Sequence, residues 1–76
     1  MGAGRLLFVQ VVALGDEGRA RFLAADLADI GPAAASRAPS GLWRVRLGPF
    51  ADPASADRAR EAARARGFGD AVLVTG

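Results

Sequence analysis

The sequence predicts an α+β domain in which a four-stranded antiparallel sheet carries two helices on one face, in the order β-α-β-β-α-β. Three observations lead to this prediction. The chain has 76 residues, enough for one domain. Segments Val9–Gly31 and Val45–Gly67 align without a gap, and each runs strand, turn, helix and glycine. Two further short segments, each bounded by turn residues, supply the remaining strands.

The first copy opens with a predicted strand, Leu7–Leu14, which is rich in Val and also contains Phe. Asp16 is a good N-cap residue, so a helix is expected over about Asp16–Ile30. The glycine and proline that follow end this helix. Apolar residues at helical spacing predict a buried stripe made of Ala20, Leu23, Ala24, Leu27 and Ile30.

The second copy repeats this pattern. Its strand is predicted over Leu42–Leu47, and the Gly48-Pro49 pair is expected to end it. Asp52 is the N-cap of a helix over Pro53–Arg66, with the proline at the first helical position. The predicted buried stripe of this helix is small, which favours close packing on the sheet: Ala56, Ala59 and Ala63.

The two remaining strands are shorter. Ala71–Thr75 contains the Val-Leu-Val run of a strand. Ala33–Ala38 has poor strand propensity, but the Pro39-Ser40-Gly41 turn returns the chain as a hairpin, so a strand is expected there too. The result is the arrangement of ferredoxin-like and RNP-like domains.

One sheet face stays open because both helices cover the other. Side chains alternate along a strand, and two arginines cannot lie unpaired beneath helices, so the Arg44 and Arg46 side is the open face. In the first strand, alternation predicts that four residues face the core: Leu7, Val9, Val11 and Ala13. The candidate ligand-binding residues of the open face are Phe8, Gln10, Val12, Leu42, Arg44 and Arg46. Alternation places Trp43 in the core, and a stacking role on the ligand is the alternative.

Composition excludes several functions. The chain lacks Cys, His and Tyr, and every basic residue is Arg, so we expect no metal site, no cofactor and no catalysis. A net charge of +2 is too small to indicate a polyanion partner. The apolar stretch Leu6–Leu14 is shorter than the ~20 residues that span a bilayer, and we assign it to a strand rather than to a signal peptide. Residues 1–5 are predicted to be an overhang or linker, and residues 6–76 the single domain.

Two runs of residues resemble a known family. Phe8–Val11 with Ala13-Leu14, and the run Trp43–Phe50, are similar to SPOR domain sequences. The helix segments Asp52–Ala56 and Arg66–Phe68 also fit the family pattern, and the resemblance extends from about Leu7 to Val74. The Ala-rich linker and the weak second strand depart from the pattern.

The resemblance implies a non-catalytic module that binds bacterial peptidoglycan and favours glycan strands stripped of their stem peptides. It implies a monomeric domain of a larger protein in the periplasm or cell envelope, directed to the division septum or cell wall. On this resemblance Gln10, Arg44 and Arg46 match motif positions of the exposed sheet face, with Val12 and Leu42 beside them.

Two segments bear on other functions. Arg66–Gly69 imitates the start of an RNA-recognition motif, but Asp70 and Leu73 occupy the positions of base-stacking aromatics, which argues against nucleic acid. The alternative that stays open is a protein–protein interaction module of the cell envelope. Phe22 lies off the buried stripe of the first helix and is the candidate contact for such a partner.

Overall fold

The computed structural model describes residues 6–75, and it confirms the predicted fold. The elements are β1 (Leu7–Leu14), α1 (Glu17–Asp26), β2 (Ala33–Arg37), β3 (Trp43–Phe50), α2 (Pro53–Ala65) and β4 (Val72–Thr75). The strands form one antiparallel sheet in the order β2-β3-β1-β4. The predictions for residues 1–5 and for the last residue of the domain fall outside the described residues.

Both helices begin at the predicted aspartates. The Asp16 carboxylate accepts a hydrogen bond from the backbone N–H of Gly18 at 3.2 Å, and Asp52 accepts one from Ser55 at 2.8 Å. The bond from the Ser55 backbone stabilises the charged carboxylate and lowers the pKa of Asp52. Side-chain capping of this kind satisfies donors that have no partner inside the helix.

The core lies between the helices and one face of the sheet. The stripe of α2 is buried as predicted, with Ala56 and Ala63 fully inaccessible, and Ala20 and Ala24 are its counterparts on α1. Because α2 buries only methyl groups, its backbone packs closely on the strands. The sheet contributes the larger buried side chains Val9, Val11, Val45 and Leu47.

The first helix is shorter than predicted. It ends at Asp26, and the chain continues to Ile30 in tight turns that still place Leu27 in the core. Arg66, which follows α2, donates a hydrogen bond to the Asp26 carbonyl oxygen at 3.1 Å and pairs with the Asp29 carboxylate. A guanidinium from the other helix thus satisfies a carbonyl that the helix end leaves free.

The third strand is longer than predicted, and the expectation that Gly48-Pro49 ends it is wrong. β3 runs on to Phe50 through an irregularity opposite Leu7 and Val9. Gly48 has φ +125°, and a Cβ there would lie 2.9 Å from the Leu7 carbonyl oxygen. Only glycine fits such a position, so the pair marks a bulge within the strand rather than a stop.

Three strand ends differ by one residue from the predictions: β2 ends at Arg37, β3 begins at Trp43 and β4 begins at Val72. Between β2 and β3, the Ala38 N–H donates to the Leu42 carbonyl oxygen at 2.7 Å and closes the hairpin. Strand formation in the Ala-rich β2 is confirmed, since pairing with β3 compensates for its weak propensity.

A second bulge lies in β1 and corrects the predicted alternation. Gln10 pairs with Arg46, but Val12 pairs with Val45, so Val11 is the extra residue. Two residues then oppose one, and both Val11 and Val12 turn toward the core side of Val45. The predicted placement of Val12 on the open face is therefore wrong, and so is that of Ala13 in the core: Ala13 is exposed and pairs with Arg44.

Candidate functional site

The face of the sheet opposite the helices forms one surface, which we call the open face. Register fixes its members, because paired residues of neighbouring strands point to the same side. Arg46 lies between Gln10 of β1 and Ala34 of β2, and Val72 of β4 lies on the other side of Gln10. The open face carries Phe8, Gln10, Ala13, Ala34, Ser36, Arg44, Arg46, Val72 and Val74.

Arg46 is held in place by its neighbours. Its Nε and Nη2 atoms both donate to the Gln10 side-chain oxygen, at 3.3 and 3.2 Å. Its guanidinium carbon lies 5.7 Å from the centre of the Phe8 ring, within cation–π range. Partial burial lowers the pKa of Arg46, and the nearby positive charge of Arg44 lowers it further. The Gln10 amide nitrogen remains as a donor that the Arg46 bonds do not use.

Arg44 differs from Arg46 in having no such support. Its Nε atom is shielded from solvent and has no hydrogen-bond partner among residues 6–75. A shielded donor without a partner is costly in a folded protein. Arg60 Nε on α2 is in the same condition, so the feature by itself does not mark a ligand site. Its register partners, Ala13 and Ser36, are small, so no bulky side chain on the neighbouring strands covers Arg44.

The open face also lacks counterions. Within residues 6–75 every ion pair between arginine and a carboxylate lies on the helices or the turns that follow them. Neither Arg44 nor Arg46 has a carboxylate within 4 Å in that part of the chain. Two neighbouring guanidinium groups without an acidic partner favour an anionic ligand.

The structure brings together most of the residues that the sequence singled out, and separates two of them. Phe8, Gln10 and Arg46 are in contact, and Arg44 follows on the same strand face. Leu42, just before β3, is 43% exposed. Val12 lies on the helix side of the sheet. Trp43 does as well: it packs against the core, with the Arg21 guanidinium carbon 5.6 Å from its ring centre.

Sequence reasoning missed several members of this surface. Val72 and Val74 have the spacing of same-face residues in a strand, but only the register of β4 against β1 shows which face they occupy. Ala13 was missed because the bulge at Val11 changes its side. No residue type in this run marks a bulge.

Comparison with known proteins identifies the family of this chain. The family model of the SPOR domain matches residues 3–75. The chain belongs to the SPOR domain family. Among curated proteins, none matches the chain.

Two solved structures are similar to this SPOR domain. One is the solution structure of the peptidoglycan binding domain of the B. subtilis cell wall lytic enzyme CwlC, with 27% identity and a TM-score of 0.76, covering 100% of this chain and 95% of that one. The other is the crystal structure of the RlpA SPOR domain from Pseudomonas aeruginosa, with 30% identity and a TM-score of 0.76, covering 90% of this chain and 96% of that one.

Two further features of this SPOR domain concern metals and membranes. Residues 6–75 hold no cluster of three or more side chains suited to a metal ion. Neither helix in that range is long and apolar enough to cross a membrane.

Proposed function

We propose that this SPOR domain is a non-catalytic module that binds peptidoglycan through its open face. One observation carries the proposal: Arg44 and Arg46 lie together without a carboxylate, beside an amide and apolar side chains. The similarity to the CwlC domain, described as peptidoglycan binding, supports it across the whole chain.

The chemistry of the open face suits a glycan strand. Arg44 is the guanidinium that receives a carboxylate, since no carboxylate among residues 6–75 lies within 4 Å of it. The amide nitrogen of Gln10, whose oxygen already accepts from Arg46, is free to donate to an acetamido carbonyl. Phe8, Leu42 and Val72 provide apolar surface for the faces of the sugar rings.

This chemistry favours strands that have lost their stem peptides. In an intact strand the lactyl carboxylate is tied up in an amide bond, and removal of the peptide by an amidase frees it. The freed carboxylate supplies the acidic partner that Arg44 and Arg46 do not have among residues 6–75. Removal also takes away the bulk that would hold a strand away from a flat sheet. We infer that the ligand is stripped glycan.

We infer that the domain acts in the cell envelope, where peptidoglycan is found. As a small module without catalytic groups, it would direct a larger protein to sites where amidases have acted, such as the division septum.

The test is co-sedimentation with purified sacculi before and after amidase treatment, at low and high salt. We expect stronger binding after treatment and weaker binding at high salt, because salt screens partly exposed charge pairs. Arg44→Ala should weaken binding, whereas Arg19→Ala, the same loss of charge on an exposed residue of α1, should not. Stronger binding to untreated sacculi would overturn the preference for stripped strands.

One observation favours a second function, a protein-interaction module. Phe22 on α1 is 71% exposed, the largest value among the large apolar side chains of the described residues. A partner that uses this surface would bind the helix side and leave the open face free. Phe22→Ser should then abolish capture of an envelope protein and leave co-sedimentation with sacculi unchanged.

A further inference from the structure

A groove lies at the edge of the open face, between β1 and the loop that leads into β4. β4 pairs with β1 only from Leu7 to Gln10, so the outer edge of β1 beyond Gln10 has no strand partner among residues 6–75. The loop of residues 67–70 runs beside this edge and leaves a groove of about 400 Å³. That volume lies within the range of ligand sites, about 300–1,000 Å³.

The groove is continuous with the open face. Gln10 and Val72 form a register pair of the open face, and both also line the groove. Ala13, which lies opposite Arg44, lines it as well. A chain-like ligand that lies on Arg44 and Gln10 can therefore extend into the groove without leaving the surface. Val12, which the β1 bulge removes from the open face, forms part of the groove lining.

The chemistry of the groove differs from that of the arginine side. The exposed Asp70 is its carboxylate, and the partly exposed Val12 and Phe68 add apolar surface. The outer edge of β1 also presents backbone amide groups that no strand of the described residues occupies. Such an edge hydrogen-bonds another amide, while Asp70 repels an acid. The groove therefore suits an uncharged sugar that bears an acetamido group.

The surface changes from basic at the arginines of β3 to acidic at Asp70 in the groove. A stripped glycan strand changes in a matching way, because a sugar with a free carboxylate is followed by one without. Neighbouring strands of a sheet are about 4.8 Å apart, so the arginines of β3 and the β4 side of the groove are separated by about 10 Å. The two linked sugars together are about as long as this separation.

We propose that the groove is a second subsite, which takes the uncharged N-acetyl sugar next to the acid-bearing sugar at Arg44. The proposal rests on the proposed function. It assigns a register to the glycan strand. The carboxylate of one sugar lies on the arginines of β3, and the neutral neighbouring sugar lies between β1 and residues 67–70. Because this register needs two linked sugars, the groove contributes to the affinity for oligosaccharides and nothing to that for a single acidic sugar.

Gly69→Leu tests the groove. A Cβ at Gly69 meets nothing within 4 Å and its φ is outside the left-handed region, so a side chain is accommodated at a position that lines the groove. Gly67 is unsuitable because its φ is +100°. Gly15→Leu is the matched control, since Gly15 is equally open and does not line the groove.

Affinities are measured by NMR titration with N-acetylmuramic acid and with a stripped tetrasaccharide. Gly69→Leu should weaken tetrasaccharide binding about fivefold, the equivalent of one neutral hydrogen bond, and leave the monosaccharide affinity unchanged. In the unsubstituted domain, the amide signals of Gly69 and Asp70 should shift with the tetrasaccharide only. This measurement does not depend on the stability of the variant.

The outcomes separate the two proposals. The groove proposal is overturned if Gly69→Leu binds like Gly15→Leu and the Gly69 amide signal does not shift. If Arg44→Ala then loses affinity for both the monosaccharide and the tetrasaccharide, the open face remains the site. Unchanged affinities in Arg44→Ala overturn the proposed function itself.

Discussion

Replacing Arg44 with methionine should weaken ligand binding and at the same time make the domain more stable. Methionine keeps an unbranched stem of similar length and removes the guanidinium. The shielded Nε atom of Arg44 has no partner among residues 6–75, and an unsatisfied donor costs about 1–3 kcal/mol. Because the rest of the side chain is partly exposed, we take the lower end of that range, about 1 kcal/mol.

For a domain of this size, about 1 kcal/mol corresponds to a rise in Tm of about 4–8 °C. Relief of repulsion between Arg44 and Arg46 acts in the same direction. The binding effect has the opposite sign. Hydrogen bonds to a charged group contribute about 1.5–3 kcal/mol, and the lower end corresponds to about a tenfold loss of affinity.

The assay combines thermal unfolding followed by circular dichroism with titration of a stripped tetrasaccharide. Arg46→Met is the informative comparison. It removes the bonds to Gln10 and the contact with Phe8, so its Tm should fall. A Tm for Arg44→Met several degrees below that of the unsubstituted domain would show that Arg44 supports the fold. Unchanged affinity would remove it from the site.

Three further predictions follow from the packing and the ion pairs. Ala13→Trp should block glycan binding with little loss of stability, whereas Val12→Ala should lower stability by about 1 kcal/mol and change the glycan affinity far less than Ala13→Trp does. Titrations and urea unfolding that gave the reverse would contradict the bulge. Ala63→Leu should cost about 1–3 kcal/mol in urea unfolding, because the fully buried Ala63 leaves no room, and an unchanged midpoint would contradict close packing of α2. The hydrogen bond from Arg66 lowers the pKa of Asp29 in the folded state. The stability that this bond contributes is therefore present above the unfolded pKa of about 4 and is lost as the pH falls through the folded pKa. Asp29→Asn should flatten the acid side of a Tm–pH profile, and an unaltered acid side would contradict this.

Local signals were sufficient to predict much of this fold. Asp16 and Asp52 are N-caps in the positions that helix-start chemistry requires, and the alanine stripe of α2 is buried as its spacing indicates. Alternation in β3 correctly separated Arg44 and Arg46 from the core. These features depend on residues within a few positions of one another.

The features that sequence reasoning missed depend on distant parts of the chain. The end of α1 is completed by Arg66, which is 40 residues from Asp26. The bulge at Val11 exists only relative to β3, and it moved Val12 and Ala13 to the opposite faces. The groove beside residues 67–70 depends on where β4 begins to pair with β1. None of these is encoded by a local pattern.

The most direct test of the open face as the binding surface is a titration of the isotope-labelled domain with a stripped tetrasaccharide, followed by amide and arginine side-chain NMR signals. We expect the largest shifts at Gln10, Arg46 and the Nε–H of Arg44, with signals from α1, including Phe22, unchanged. Shifts concentrated on α1, with an unchanged Arg44 Nε–H signal, would contradict binding through the open face.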